Sequence, residues 1–325
     1  WTPTDLIFPF FLFIVGVAMT FSFGKRLAGG ADRWTLLRKA TRRAVVLFAL
    51  GLLLHAFPWW DVDLGTLRIP GVLQRIAVAY LAASVIVLFA GRWGQAIAAA
   101  ALLLGYWALL TLVPVPGHGA GVLTPDGNLG AYLDRLILGT DHLWASSRTW
   151  DPEGILSTLP AIATVLAGVF TGYWIRSGRD GTTTTVGLLA AGAAAVAVGI
   201  AWGQVFPINK GLWTSSYTVF TAGMALLFLG LCYWVIDVKG RRAWAKPFVV
   251  FGVNAIAAYW LSGLSARLLG MIRVGDQSLK GWLYDHAFAS WAGPLNGSLA
   301  FALAFVLVWL GLMWILYRKE IFIKV

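Results

Sequence analysis

Cysteine is almost missing from this sequence: Cys232 is the only one, and it lies inside an apolar run. A single thiol excludes an internal disulfide framework and a cysteine-built zinc site. Charge is scarce as well. Only 12% of the 325 residues are Asp, Glu, Lys or Arg, about half the share of a soluble domain. So few charges cannot clothe a globule of this length, which excludes a soluble enzyme. Acid is scarcer still, 14 residues against 25 basic ones, for a net charge of +11. The cations sit between apolar runs and not on the face of a folded domain, so nucleic acid is set aside as a partner. His55, His118, His142 and His286 are the only histidines; none has a metal partner at useful spacing, and no metal site is expected. What is abundant is apolar: 59% hydrophobic residues, with 18 Trp, 19 Phe and 9 Tyr, a composition suited to lipid.

Crossing a hydrocarbon core of about 30 Å takes roughly 20 mostly apolar residues. Nine stretches qualify, near 6–24, 40–58, 70–90, 95–113, 155–176, 186–205, 216–236, 248–270 and 298–317. Each is expected to be a helix, because backbone in lipid must satisfy its own hydrogen bonds and no alternating strand pattern is present. The expected fold is therefore all-α, a polytopic membrane helix bundle forming one multi-pass domain over 1–325. The chain opens at Trp1, not Met, and runs almost at once into Leu6–Val15. It reads as a fragment lacking its first helix, with ten or more spans in the full-length protein.

Basic loops stay in the cytoplasm, and here alternate loops differ sharply. One set carries 17 of the 25 basic residues, from Lys25, Arg26, Arg33, Arg38, Lys39, Arg42 and Arg43 through Arg92, Arg176 and Arg179 to Lys239–Lys246 and Arg318–Lys324, with four acids. The other carries eight basic residues and ten acids. Nine crossings keep the alternation consistent, with Trp1 outside and Val325 inside. The segments 114–154 and 271–297 are then extracytoplasmic loops. The first is long enough to be functional, and its 131–138 stretch reads as a short amphipathic helix.

Polar groups at or within membrane helices are costly and therefore informative. Asp5 is either an acid favourable to a helix N-terminus or a carboxylate aimed into an outer cavity. Arg68 and Arg75 lie two turns apart on one face, where a shared anion is geometrically allowed, and Gln74 joins them inside the third span. Asp151-Pro152-Glu153 is explained by a helix N-cap with Pro at the first position, or as part of an acceptor site. Asp141 and His142, with Trp144 and Trp150, supply the hydroxyl acceptors and aromatic platforms that a sugar site needs. Asn209, Lys210 and Trp213 form a polar entry to the seventh span, and Asn254 lies within the eighth, where an amide usually bonds another helix. Arg38, Lys39, Arg42 and Arg43 suit either anionic headgroups or the phosphates of a cofactor.

Six motifs in order carry a resemblance: Thr2-Pro3-Thr4-Asp5-Leu6-Ile7-Phe8-Pro9, Arg68-Ile69-Pro70-Gly71-Val72-Leu73-Gln74-Arg75, Asp134-Arg135-Leu136-Ile137-Leu138-Gly139 with His142-Leu143, Asp151-Pro152-Glu153-Gly154-Ile155-Leu156, Asn209-Lys210 with Leu212-Trp213, and Asp237-Val238-Lys239-Gly240. Together with the ending Tyr317-Arg318-Lys319-Glu320-Ile321-Phe322, they resemble the bacterial branch of the heparan-alpha-glucosaminide N-acetyltransferase family over nearly the whole chain. The resemblance implies transfer of acetyl from cytoplasmic acetyl-CoA to the amine of a glucosamine-type sugar across the membrane, with no metal. It implies a catalytic His shortly before Trp1, which would leave this fragment inactive. Asp5 and Asn254 would share the catalytic cavity. Asp141, His142, Asp151, Glu153, Asn209, Lys210 and Trp213 would bind the acceptor, and Arg43, Arg68, Gln74, Arg75 and Lys239 the acetyl-CoA. The implied setting is a bacterial cytoplasmic membrane, with an amino sugar or glycan and membrane lipids as partners and a homodimer left open. Direct transfer and an acetyl-His relay both fit. Two other readings stand beside it: a transporter or flippase for amino sugars or lipid-linked glycans, and an O-acyltransferase of cell-envelope polysaccharide.

Overall fold

The structure, a computed structural model, describes residues 2–323. Trp1 and Val325, to which the positive-inside argument assigns sides, lie outside the described residues, as does Lys324. The chain divides into two compact units, Trp1–Gly240 and Arg241–Val325.

The first unit contains α1 (Ile7–Ala28), α2 (Arg33–His55), α3 (Val72–Phe89), α4 (Arg92–Leu112), α5 (Leu129–Leu138), α6 (Thr158–Ile175), α7 (Gly181–Gly203) and α8 (Ser215–Tyr233), the last prolonged by a π turn over Trp234–Val238. Short polar side chains start several of these helices by accepting an otherwise orphaned backbone N–H. Asp32 takes Thr35 N at 3.0 Å, Asn128 takes Ala131 N at 2.8 Å and Asp180 takes Thr183 N at 2.9 Å. The helix expected near 131–138 is α5, and it presents Leu129, Ala131 and Asp134 inward.

Small residues let the central helices touch backbone to backbone, the usual device where lipid removes the hydrophobic drive between helices. The α1–α6 contact is reciprocal. A Cβ added at Gly16 would lie 1.9 Å from Val165 O, and one added at Gly168 would lie 1.9 Å from Phe13 O. On α2 the buried positions Leu36, Ala40, Ala44, Leu47, Gly51 and Leu54 recur every three or four residues, a single stripe that packs on α3.

Among the described residues seven helices are long and apolar enough to cross a membrane, or eight if a bent pair counts as one. The ninth stretch expected from sequence is α2, which its charges keep out of that count, although its 23 residues lead from the turn after α1 to the long segment 56–71. Arg33, Arg38, Lys39, Arg42 and Arg43 occupy its first half. That leaves Ala44–Leu54 as the uninterrupted apolar run, about 16 Å at helical rise and so about half a hydrocarbon core.

In the second unit the bent pair is Ala243–Val253, which includes α9 (Lys246–Val253), with Ala255–Met271, here α10; the two are inclined by 72° across Asn254. A two-residue hairpin follows, Arg273–Val274 against Gln277–Ser278. Then come α11 (Leu279–Tyr284), a π turn and α12 (Ser290–Arg318). The segment 271–297 is thus structured for most of its length. Gly293, at φ +74°, breaks the course of α12 just before Pro294.

Candidate functional site

Two ends of the first unit can be told apart by their connections. At one end are the short turns after α1, α3 and α6. At the other the long segments 56–71, 113–157 and 204–214 meet. Most of the residues singled out from sequence in this unit gather at the long-loop end.

Its centre is Arg68. Its Nε donates to Asp151 Oδ2 at 2.8 Å, while its Nη2 donates to Asp151 Oδ1 at 2.7 Å and to Glu153 Oε2 at 2.6 Å. This is a bidentate pairing with a second carboxylate added. Burial pulls the Arg68 guanidinium down, but Asp151 and Glu153 outweigh it and hold the group above its ordinary value. Burial pushes the Glu153 carboxyl up, with the Asp151 charge adding to it against the pull of Arg75 and Arg68. The N-cap expected at Asp151 is not formed, because α6 begins only at Thr158. Asp151 Oδ1 instead accepts Glu153 N at 2.9 Å, closing a local turn that aims both acids at Arg68.

Asp134 stands beside this group, though its position among Leu133, Leu136 and Leu138 carried no signal of a site. Its Oδ1 accepts Ile155 N at 2.8 Å. A Cβ added at Gly154 would lie 2.0 Å from Asp134 Oδ2, so only glycine permits this approach. Burial is the main cause that lifts its carboxyl to about 6, helped by the neighbouring Asp151 charge.

Arg75 lies one layer deeper, 2% exposed. Its Nη2 donates to Gly154 O at 3.2 Å and to Ser157 Oγ. Its guanidinium carbon sits 5.1 Å from the centre of the Trp213 ring. Trp213 is itself buried, with Nε1 donating to Thr164 Oγ1 at 3.3 Å and with Phe8 and Tyr217 packed edge-on at 5.0 and 5.4 Å. It holds φ at +51°, a left-handed backbone that a bulky side chain rarely adopts. Tyr106 from α4 donates to Leu212 O, fixing the same turn.

Asp5 closes the site from the chain's start. It sits in a 3-10 turn, Pro3–Leu6, whose capping box pairs its Oδ2 with Thr2 N at 2.7 Å. Its Oδ1 accepts Lys210 Nζ at 3.0 Å, and its backbone O accepts the Tyr217 hydroxyl at 2.5 Å. One carboxylate oxygen of Asp5 thus serves the turn at the helix start and the other pairs with Lys210. Asn209 holds the turn that presents Lys210, its Oδ1 accepting Leu212 N at 3.1 Å.

His142 and Asp141 belong to a short turn, Thr140–His142. His142 Nδ1 bonds Leu67 O at 2.8 Å and its backbone O accepts Ile69 N at 3.0 Å, so it brackets Arg68 from both sides. Asp141 is exposed, and Trp144 and Trp150 pack edge to face at 5.9 Å.

The residues expected to hold acetyl-CoA divide. Arg68, Gln74 and Arg75 stand at the long-loop end. Arg43 lies twelve residues before the end of α2, about 18 Å back along the helix, exposed and 5.2 Å over the Tyr80 ring. Lys239 follows the π turn after α8, 4.7 Å over Trp234. Asn254 belongs to the second unit, where its amide donates to Ile321 O at 3.0 Å and accepts Ile323 N at 2.8 Å. Its hydrogen bonds hold the segment after α12, and not a neighbouring span as expected for an intramembrane amide. Sequence reasoning missed Tyr106, Ser157, Thr164 and Tyr217, small polar or aromatic residues in helices whose composition is otherwise unremarkable.

A family model described as "Heparan-alpha-glucosaminide N-acetyltransferase, catalytic" matches residues 1–202. The human protein named heparan-alpha-glucosaminide N-acetyltransferase is 29% identical over 388 aligned residues, which take in all of this chain and 54% of the human one. Its mouse namesake is 30% identical over 313 residues, covering 79% of this chain and 47% of the mouse protein. The chain spans about half the length of the curated relatives it matches.

Proposed function

The chain belongs to the heparan-alpha-glucosaminide N-acetyltransferase family, and from that premise we propose that it moves an acetyl group from cytoplasmic acetyl-CoA to the amine of a glucosamine-type sugar on the other side of a bacterial cytoplasmic membrane. In this reading the short-turn end, with its basic loops, faces the cytoplasm and the long-loop end faces outward. One observation carries it: residues more than 200 positions apart, Asp5 and Lys210, meet in a 3.0 Å ion pair at the same end as the Arg68–Asp151–Glu153 cluster and Trp213.

The chemistry follows from the charges. An acceptor amine arrives as an ammonium and must lose a proton before it can attack a thioester. Asp5 offers a carboxylate that the ammonium can share with Lys210, and His142, beside Leu67 and Ile69, lies on the rim of that cluster. The exposed cations Arg43 and Lys239, each over an aromatic ring, suit the phosphates of CoA. Arg68, by contrast, already has two carboxylates and offers little to a phosphate. Asn254 enters this reading as the residue that holds the chain's last described segment.

A transport reading draws on one observation, the 72° break at Asn254, since discontinuous helices mark many transporter sites. The amide at that break is already engaged with Ile321 and Ile323, so acetyl transfer has the stronger support. The test is vectorial. Inside-out vesicles bearing the full-length protein, loaded with glucosamine and given labelled acetyl-CoA outside, should trap labelled N-acetylglucosamine. Glucosamine efflux or exchange without acetylation would overturn the proposal in favour of transport, and acetylation of a hydroxyl in place of the amine would favour an O-acyltransferase.

A further inference from the structure

Arg75 is the only charged side chain among the described residues whose buried nitrogens lack a partner: neither Nε nor Nη1 has one. No carboxylate lies within ion-pairing distance of it among those residues. A buried cation with unspent donors is costly, and native interiors rarely leave one so. The surroundings narrow what could complete it. Trp213 covers one face of the guanidinium, so the donors left are those in its plane. Gly154 O and Ser157 Oγ occupy Nη2. Arg68, Asp151 and Glu153 together carry one net negative charge, which already offsets that of Arg75 from a distance, and Asp134 adds to it when ionised. A phosphate would meet that negative field for as long as it stayed bound, whereas a carbonyl oxygen meets it only while its charge develops.

We propose that Arg75 is the receptor for a carbonyl oxygen, that of the acyl group being transferred. This rests on the acetyl-transfer reading and adds a residue role to it. When a nucleophile's lone pair bonds to the thioester carbon, the C=O π pair moves onto oxygen. The unspent Arg75 donors then hold that oxyanion until the C–S bond breaks, its electron pair leaving with sulfur and the nucleophile's proton passing to a base. Donors set in place before the charge develops are a strong source of catalysis. Thr164, Phe8 and Tyr217 hold the Trp213 ring in place against Arg75.

The experiment separates carbonyl recognition from turnover. Binding of S-(2-oxopropyl)-CoA and of S-propyl-CoA, which differ by one carbonyl oxygen and transfer nothing, is measured by calorimetry on the full-length protein in lipid nanodiscs. Wild type should bind the ketone about tenfold more tightly, the size expected for a hydrogen bond to a charged donor. Arg75→Gln should bring the ratio close to one while leaving S-propyl-CoA affinity unchanged. If that variant does not fold, seen as loss of S-propyl-CoA binding, Arg75→Lys decides by a reduced ratio with S-propyl-CoA binding kept. A ratio that survives in a folded Arg75 variant overturns the inference, as does a ratio near one in wild type, which would mean that an ordered water alone fills the donors. Failure of wild type to bind either thioether while folded would overturn the underlying acetyl-CoA reading instead.

Discussion

The two ends of the first unit use their cations in opposite ways. At the long-loop end Arg68 is clasped by Asp151 and Glu153. Toward the short-turn end Arg43 and Lys239 lie over aromatic rings. The difference is in what each cation is free to do. A guanidinium whose donors are taken by carboxylates holds loops together. One that rests on a ring keeps its N–H groups for a polyanion. Counting basic residues cannot separate the two, and the acids that separate them here come from more than 75 positions away in sequence.

The contrast can be broken hardest at Asp151, whose side chain is fully buried. Asp151→Ala should cost on the order of 3 kcal/mol, because it takes the main partner from the half-buried Arg68 and leaves it Glu153 alone. Thermal unfolding in detergent, or loss of folded protein on expression, reads it. A double substitution, Asp151→Ala with Arg68→Met, should recover part of that loss, and no recovery would mean that the pair is not what holds the loops.

The next effect is on pH dependence. The Asp134 carboxyl is raised from 3.8 to about 6 in the folded protein. A carboxyl raised on folding binds its proton more tightly in the native state, so its contribution to stability is present below the unfolded value and is lost as pH rises through the folded one. Stability of this unit should therefore fall between about pH 4 and 6, by about 3 kcal/mol. Asp134→Asn should flatten that slope; an unchanged slope assigns it elsewhere.

A smaller effect belongs to the Asp5–Lys210 pair, which is partly exposed. Lys210→Ala should change stability by about 0–1 kcal/mol, while lowering acetyl transfer if the pair faces the acceptor. The smallest is at the other end. Arg43→Ala and Lys239→Ala should leave unfolding within about 0.5 kcal/mol of wild type and yet weaken acetyl-CoA binding. An unfolding shift as large as that of Asp151→Ala would erase the distinction between the ends.

Much of the fold was legible from sequence. Apolar run length marks the helices because backbone in lipid has nowhere else to bond, and the amphipathic pattern marked α5. Of the nine stretches, α2 alone falls short by length and composition, because five cations occupy the first half of that helix. The site was legible in part. Asp5, Arg68, Asp151, Glu153, Lys210 and Trp213 stood out as polar or bulky residues near span ends. Asp134, Ser157 and Tyr217 did not, because a buried acid, a serine at a helix start and a span tyrosine look ordinary until a partner is known. Asn254 stood out for the right reason, an amide among apolar residues, but its partners are backbone groups at Ile321 and Ile323 and not another span.

Hydropathy and charge alone determined that this is a membrane helix bundle and which ends of its helices carry polar groups, because those follow from transferring each residue into lipid one at a time. Which cation is spent and which is free was decided only by tertiary structure. An ion pair depends on two residues and the distance between them, and that distance is a property of the packed loops, not of either residue's place in the chain.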